Sequence, residues 1–128
     1  MRLLLDTHVV IWSVLDSKQL PESVRQHISN PANRCFVSMA SLWEMSIKHS
    51  LGRLEFNMPL ADMYHVIGES GFDLLPIGPS HLLHNATLAF HRQDPFDRLI
   101  IAQAFDEHMT VVTKDRKFVR YGVPLIWK

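Results

Sequence analysis

Leu3-Leu-Leu-Asp-Thr-His-Val-Val-Ile-Trp-Ser-Val-Leu15 decides how this chain is read. Its three leucines form a short apolar run that stops at Asp6 and Thr7. A run without alternation fits a strand buried on both faces. Val9 to Leu15 fits strand or helix by periodicity alone. The next apolar strand candidate is not adjacent, so a helix is predicted over 9–15.

The same alternation of short apolar runs and helices continues outward. Leu20-Pro-Glu22 opens a helix to about Ser29, with Pro21 at its first position, and Asn30-Pro-Ala-Asn33 is a turn. Arg34 to Ser38 is a second strand. Ser38 then caps a helix to about Ser50, stopped by Gly52, with Met39, Leu42, Trp43, Ile47 and Leu51 at helical spacing. Leu60 to Glu69 is a helix ended by Gly68 or Gly71. Phe72 to Ile77 is a third strand, Pro79 to about Phe90 a helix, and Asp94-Pro95 starts a long apolar helix to about His108. Met109 to Thr113 is a fourth strand. A short helix around Arg116 to Arg120 precedes a fifth strand at Val123 to Ile126. Short apolar strands separated by helices predict a three-layer α/β/α sandwich around a mainly parallel five-stranded sheet. The 128 residues suit one domain spanning the whole chain, 1–128.

Composition narrows the classes further. Hydrophobic residues make up 47% of the chain, enough for a real core, and there are no low-complexity tracts. Thirteen basic and thirteen acidic residues balance, so bulk charge does not advertise a nucleic-acid binder. Attraction to a nucleic acid would have to be local, from a bound metal or a basic rim. The single cysteine, Cys35, excludes an internal disulfide and fits a reducing compartment. In the run Arg34-Cys-Phe-Val37 it reads as a small buried hydrophobe rather than a nucleophile. No apolar stretch approaches the about 18 residues of a membrane span, and the apolar start is too short for a signal peptide. A cytoplasmic protein is expected.

In sheets of this kind, ligands bind at the carboxyl ends of the strands, and the acidic residues gather there. Asp6 closes the first strand. Glu44 lies about two turns into the helix after the second. Asp94 and Asp97 sit in the first turn of the helix before the fourth strand, and Asp115 follows that strand. Several carboxylates in one place repel by roughly 4 kcal/mol per pair at about 4 Å and an effective dielectric of about 20. Either some are protonated or a cation sits among them. An oxygen-only set fits a hard ion, Mg²⁺ or Mn²⁺. Such an ion activates water and clamps phosphate oxygens, which is the route to phosphodiester hydrolysis.

Each acid also has a structural reading. Ser41-Leu-Trp-Glu44 is a possible capping box, and Glu44 is placed to pair with Lys48 at i+4. Asp94-Pro-Phe-Asp97 has the form of a cap, and Asp115 is placed to cap the last short helix. Asp6 has no obvious local cation. Thr7 and Thr113 either bond these carboxylates or cap.

At these residues the sequence resembles the PIN-domain nucleases, in particular the VapC-type toxins of bacterial toxin–antitoxin pairs. Four separated blocks carry the resemblance in order: Leu3 to Trp12 with Asp6; Ser38 to Lys48 with Glu44, continued by Gly52-Arg-Leu54; Asp94 to Ala104 with Asp97; and Val112 to Phe118 with Thr113 and Asp115. His8 departs from the asparagine that many PIN domains carry after Asp-Thr. The resemblance implies a dimeric endoribonuclease using Mg²⁺ or Mn²⁺ and held inactive by a small cognate antitoxin. Asp6, Glu44 and Asp97 would bind the first metal, Asp115 would assist directly or through water, and water would be the nucleophile.

Other residues are weighed beside these. Of eight histidines, only His8 and His91 are placed for proton transfer; His27, His49, His65, His81, His84 and His108 read as surface or packing residues. Arg92, Arg98, Arg116 and Lys117 lie near the acids in sequence and are candidates to hold phosphates, with a salt bridge to a neighbouring acid equally open for Arg98. Trp12, Trp43, Phe96 and Phe105 could stack on bases, but their helical settings favour core packing. Two other functions fit the length and pattern. A phosphoacceptor receiver domain needs an acidic pair at the first strand and a carboxylate at the third, and Asp6 stands alone. A catalytically dead PIN-like binding module would lack a core acid, and all are filled.

Overall fold

Leu3, Leu4 and Leu5 have no exposed surface in the computed structural model, which describes residues 1–53, 56–91 and 93–127. They lie in β1 (Arg2–Leu5), the middle strand of a five-stranded sheet. The others are β2 (Arg34–Ser38), β3 (Asp73–Leu75), β4 (Thr110–Val112) and β5 (Leu125–Ile126), in the order β3-β2-β1-β4-β5. Every pairing is parallel, with Leu5 level with Val37 on one side and Val112 on the other. The expected "mainly parallel" sheet is therefore parallel throughout.

The pleat sends neighbouring side chains to opposite faces and so makes two cores. Leu3 and Leu5 join Cys35, Val37 and Val112 on one face. There they meet α1 (Thr7–Val14), α2 (Glu22–Ser29) and α4 (Leu60–Glu69) through Val9, Val24, Met63 and Ile67. Leu4 joins Phe36 and Val111 on the other face, against α6 (Pro95–Glu107) and Phe118 of a 3₁₀ helix at Arg116–Tyr121. α6 buries Leu99, Ile100, Ile101, Ala102 and Ala104 in succession, so it is covered nearly all round. With α3 (Met39–Ser50) and α5 (Pro79–Thr87) the three-layer α/β/α sandwich is complete.

Departures from the sequence expectation sit at element ends. Pro21 is the N-cap of α2, with extended ψ of 148°, rather than its first helical residue. β3 stops at Leu75, before Pro76, which has no N–H to give a ladder. α4 runs through Gly68 and ends before Gly71, whose φ of +81° suits a residue without Cβ. α5 ends at Thr87, short of Phe90, and β4 and β5 are shorter than predicted. Ser38 does cap α3, its Oγ accepting from the Ala40 N–H at 3.0 Å.

Candidate active site

β1 and β4 lie side by side, yet the chain leaves β1 toward β2 and leaves β4 toward β5. That reversal opens a crevice at the carboxyl ends of the two strands, the place where parallel sheets bind ligands. Asp6 follows β1 directly and Thr113 follows β4 directly.

A cavity of about 300 Å³ lies there, lined by the five carboxylates of Asp6, Glu44, Asp94, Asp97 and Asp115. Lys48, Lys114, His8, Val9 and Trp12 complete its wall. Asp6, Glu44 and Asp97 are each only 7% exposed, an unusual setting for three acids.

Hydrogen bonds hold the acids in place. The Thr7 N–H donates to Asp6 Oδ1 at 2.7 Å, and Thr113 Oγ1 donates to Asp6 Oδ2 at 2.8 Å. Thr113 Oγ1 accepts from the Asp115 N–H at 3.0 Å, which ties the fourth block to the first. Thr7 Oγ1 donates to Glu44 Oε1 at 2.7 Å. Its one proton spent, Thr7 accepts from Ser41 Oγ at 2.9 Å. Lys48 Nζ lies 3.0 Å from Glu44 Oε2. The i+4 pairing read from sequence thus forms, whereas the Ser41 capping box does not, because Ser38 is the cap and Ser41 faces Thr7.

Asp94 and Asp115 each have two settings at once. Asp94 Oδ1 accepts from the Phe96 and Asp97 N–H groups at 2.9 and 3.2 Å and caps α6. Asp115 Oδ1 accepts from the Lys117 N–H at 2.9 Å and caps the 3₁₀ helix. Both side chains still line the acidic cavity.

Burial raises the Asp6 carboxyl above the ordinary aspartate value. The bonds from Thr113 and Thr7 and the nearby His8 pull it down, the Glu44 charge pushes it up, and burial prevails. Separately, among the described residues, five carboxylates face only two lysines on the cavity wall.

Arg98 is a correction. It is buried but does not line the acidic cavity. Nη1 donates to Ala89 O at 2.8 Å and to Tyr121 Oη at 3.2 Å, and Nη2 donates to Asn85 O and Leu88 O at 3.3 and 3.4 Å. Its guanidinium also stacks over Phe90, 4.1 Å from the ring centre. The residue serves carbonyls at and just beyond the end of α5 instead of facing a phosphate or an acid. His91 and Lys117 line a separate cavity beyond Asp94. Arg92 and Leu54 lie outside the described residues.

Sequence reasoning missed Lys114, whose only signal was its place between Thr113 and Asp115, and it missed the hydroxyl of Ser41. It also placed the aromatics imperfectly. Trp43 is 53% exposed and meets Phe96 edge-on rather than entering the core. Trp12 is half-buried and lines the cavity.

A second group of potential ligands, His81, Asp106 and Glu107, lies elsewhere. His81 Nδ1 accepts from the Gly78 N–H at 3.0 Å, so Nε2 carries the ring proton and donates to Glu107 Oε2 at 2.9 Å. These bonds tie the start of α5 to the end of α6, away from the acidic cavity.

Fold and site together define an α/β protein with an acid-lined crevice at the switch point of a parallel sheet. The PIN domain family matches residues 3–124, and the chain belongs to that family. The fold is shared with solved toxin–antitoxin structures at low identity. A chain in the structure of VapBC2 from Rickettsia felis bound to a promoter DNA fragment superposes with a TM-score of 0.73 at 18% identity, covering 98% of each chain. One in the DNA-bound VapBC of Salmonella typhimurium gives 0.73 at 20% identity, covering 98% of this chain and 97% of that one. One in VapBC-5 of Mycobacterium tuberculosis, a member of the VapBC toxin–antitoxin systems, gives 0.65 at 20%, covering 99% and 98%. No curated protein sequence gives a significant match.

Proposed function

We propose that this chain is a VapC-like endoribonuclease that hydrolyses RNA phosphodiester bonds with Mg²⁺ or Mn²⁺. The observation that carries the reading is the convergence of Asp6, Glu44 and Asp97, far apart in sequence and nearly buried, on one cavity at the switch point. PIN membership agrees with it and sets aside the receiver-domain reading.

The residues fit a hard divalent ion. Among the described residues, five carboxylates stand against one imidazole and no thiolate on the cavity wall, a donor set dominated by hard oxygen, and two lysines leave that charge only partly balanced. Asp6, Glu44 and Asp97 would hold the ion, with Asp115 assisting. Such an ion supplies a more acidic water and charge compensation at a phosphate.

The chain's own residues do the rest. Thr7 and Thr113 fix the carboxylate orientations, with Ser41 behind Thr7. Lys48 balances Glu44, and Lys114, exposed at the rim, is placed to draw in a phosphate. Asp94 holds the start of α6, and with it Asp97, at the cavity.

A small antitoxin and a second copy of the chain are the proposed protein partners, in a bacterial cytoplasm. Leu83 and Phe90, 71% and 80% exposed, are the kind of apolar surface that protein contacts cover. Among the described residues no helix is long and apolar enough to cross a membrane.

The test is incubation of purified protein with total RNA, with and without Mg²⁺, followed by mapping of cut ends. Metal-dependent cleavage is expected. Asp6→Asn and Asp97→Asn should remain folded and lose cleavage by about 100-fold or more, and retained activity in either removes that residue from the mechanism. A folded protein that binds RNA and cuts none is the inactive binding module instead. Light scattering of the purified chain tests the dimer.

A further inference from the structure

Trp12 stands where the core, the acidic cavity and a further cavity adjoin. It lies one turn after His8 on α1, and the two rings are 5.6 Å apart, tilted by 36°. Trp127 stands behind it at 6.2 Å. One side of the half-buried indole packs on the core, while the residue also forms part of the acidic cavity wall. With His8 it lines a second cavity, also of about 300 Å³, completed by Ile11, Leu15, Ser17 and Gln19. The two cavities meet at the His8–Trp12 pair.

The second cavity differs in kind from the first. No carboxylate lines it, so it is not an extension of a cation site. Its walls are aromatic and aliphatic, with a hydroxyl and an amide as its neutral polar groups. That mixture takes a flat, partly apolar ligand with hydrogen-bonding edges. A strand whose phosphate lies over the acids must send its flanking bases to either side, and a base on the α1 side meets His8 and Trp12.

We propose that the His8–Trp12 wall and the cavity beside it form a nucleobase subsite, which receives one unpaired base next to the phosphate at the acids. This rests on the reading of the acidic cavity as a phosphodiester-cleaving site. A base in a duplex is already stacked and paired, so the subsite selects single-stranded or looped RNA. Ring stacking accepts any base. Gln19, with both a donor and an acceptor, grades among them by their edges.

The test reads binding and cleavage separately. Trp43 lines neither cavity, so Trp43→Phe removes its emission without touching either. That variant is titrated, in Mg²⁺, with a mixed-sequence single-stranded RNA of eight nucleotides and with the same RNA annealed to its complement. The single strand should quench the emission saturably, and the duplex should bind at least tenfold more weakly. Adding Trp12→Phe should abolish the quench while binding persists. Trp12→Ala should weaken single-strand binding by about 5- to 150-fold, the equivalent of the roughly 1–3 kcal/mol of one base stacked on an aromatic ring. Gln19→Ala, at an exposed position, should keep the fold and change the ranking of oligo(A) against oligo(U), so the subsite stays testable if Trp12→Ala does not fold.

Denaturing gels of the same samples report cleavage. Cleavage with no Trp12 response overturns the subsite and leaves the nuclease reading standing. A Trp12 response without cleavage removes the nuclease reading and supports the subsite as a single-strand-binding place. Equal response to duplex, or a response only to a protein partner, overturns the subsite.

Discussion

Asp6 carries a conflict that metal would resolve. Its carboxyl is raised by burial, so in the window above the ordinary value of 3.8 the folded chain holds a proton that the unfolded chain has lost. Stability from this group is full below that value and falls as pH rises through the window. In metal-free buffer near neutral pH, Asp6→Asn should therefore be at least as stable as the parent, and its advantage should shrink toward about pH 4. Denaturant melts of both proteins across that range check this, and a large loss of stability in Asp6→Asn at neutral pH contradicts it. Cys35 gives a second prediction. Burial pushes its thiol up to about 11, and Sγ rests 3.6 Å from Ile28 O. Almost no thiolate exists at neutral pH. A thiol reagent should react with the native protein at least tenfold more slowly than with the denatured chain.

At the level of elements, α6 sets where Asp97 sits, and Asp94 sets where α6 begins. Asn keeps the capping oxygen and removes the charge, whereas Ala removes both. Asp94→Ala should lose about 0.5–2 kcal/mol in denaturant unfolding and Asp94→Asn much less. If both lose cleavage alike, the charge acts at the site; if only Ala does, the cap is what matters. Ile100, with no exposed surface in the middle of α6, should cost about 2–5 kcal/mol when cut to Ala. These elements were largely legible in the sequence. Every strand and helix fell where apolar runs and caps placed it, because fully buried strands and capped helices leave periodic marks. Strand ends were less legible, since they depend on which partner strand continues alongside. Asp6 and Asp115 were readable because charge just past the carboxyl end of a buried strand is conspicuous, and Glu44, Asp94 and Asp97 because the predicted helices bring their early turns to that same end. Arg98 was misread because nearness in sequence to an acid says nothing about which way a long side chain turns. The carbonyls of α5 that it serves are set by tertiary packing alone.

For the molecule as a whole, the crevice concentrates negative charge in a chain whose acidic and basic residues balance overall. A ligand that binds only the folded chain stabilises it by about 1.4 kcal/mol for each tenfold of concentration above its dissociation constant. Mg²⁺ or Mn²⁺ should therefore raise the melting temperature by an amount that grows with concentration, and a chelator should return it to the metal-free value. Because protons compete with the ion for Asp6, the rise should be smaller as pH falls. Asp6→Asn should abolish most of it, and an equal metal response in that variant would place the ion elsewhere.

The bond from Thr113 to Asp6 joins residues 107 positions apart, across strands that only meet once β4 has docked beside β1. The two ends of the sequence must therefore come together before the carboxylate that closes β1 is anchored on both of its oxygens. A chain cut short of β4 would keep Asp6, Glu44 and Asp97 yet lose the hydroxyl that fixes the first of them.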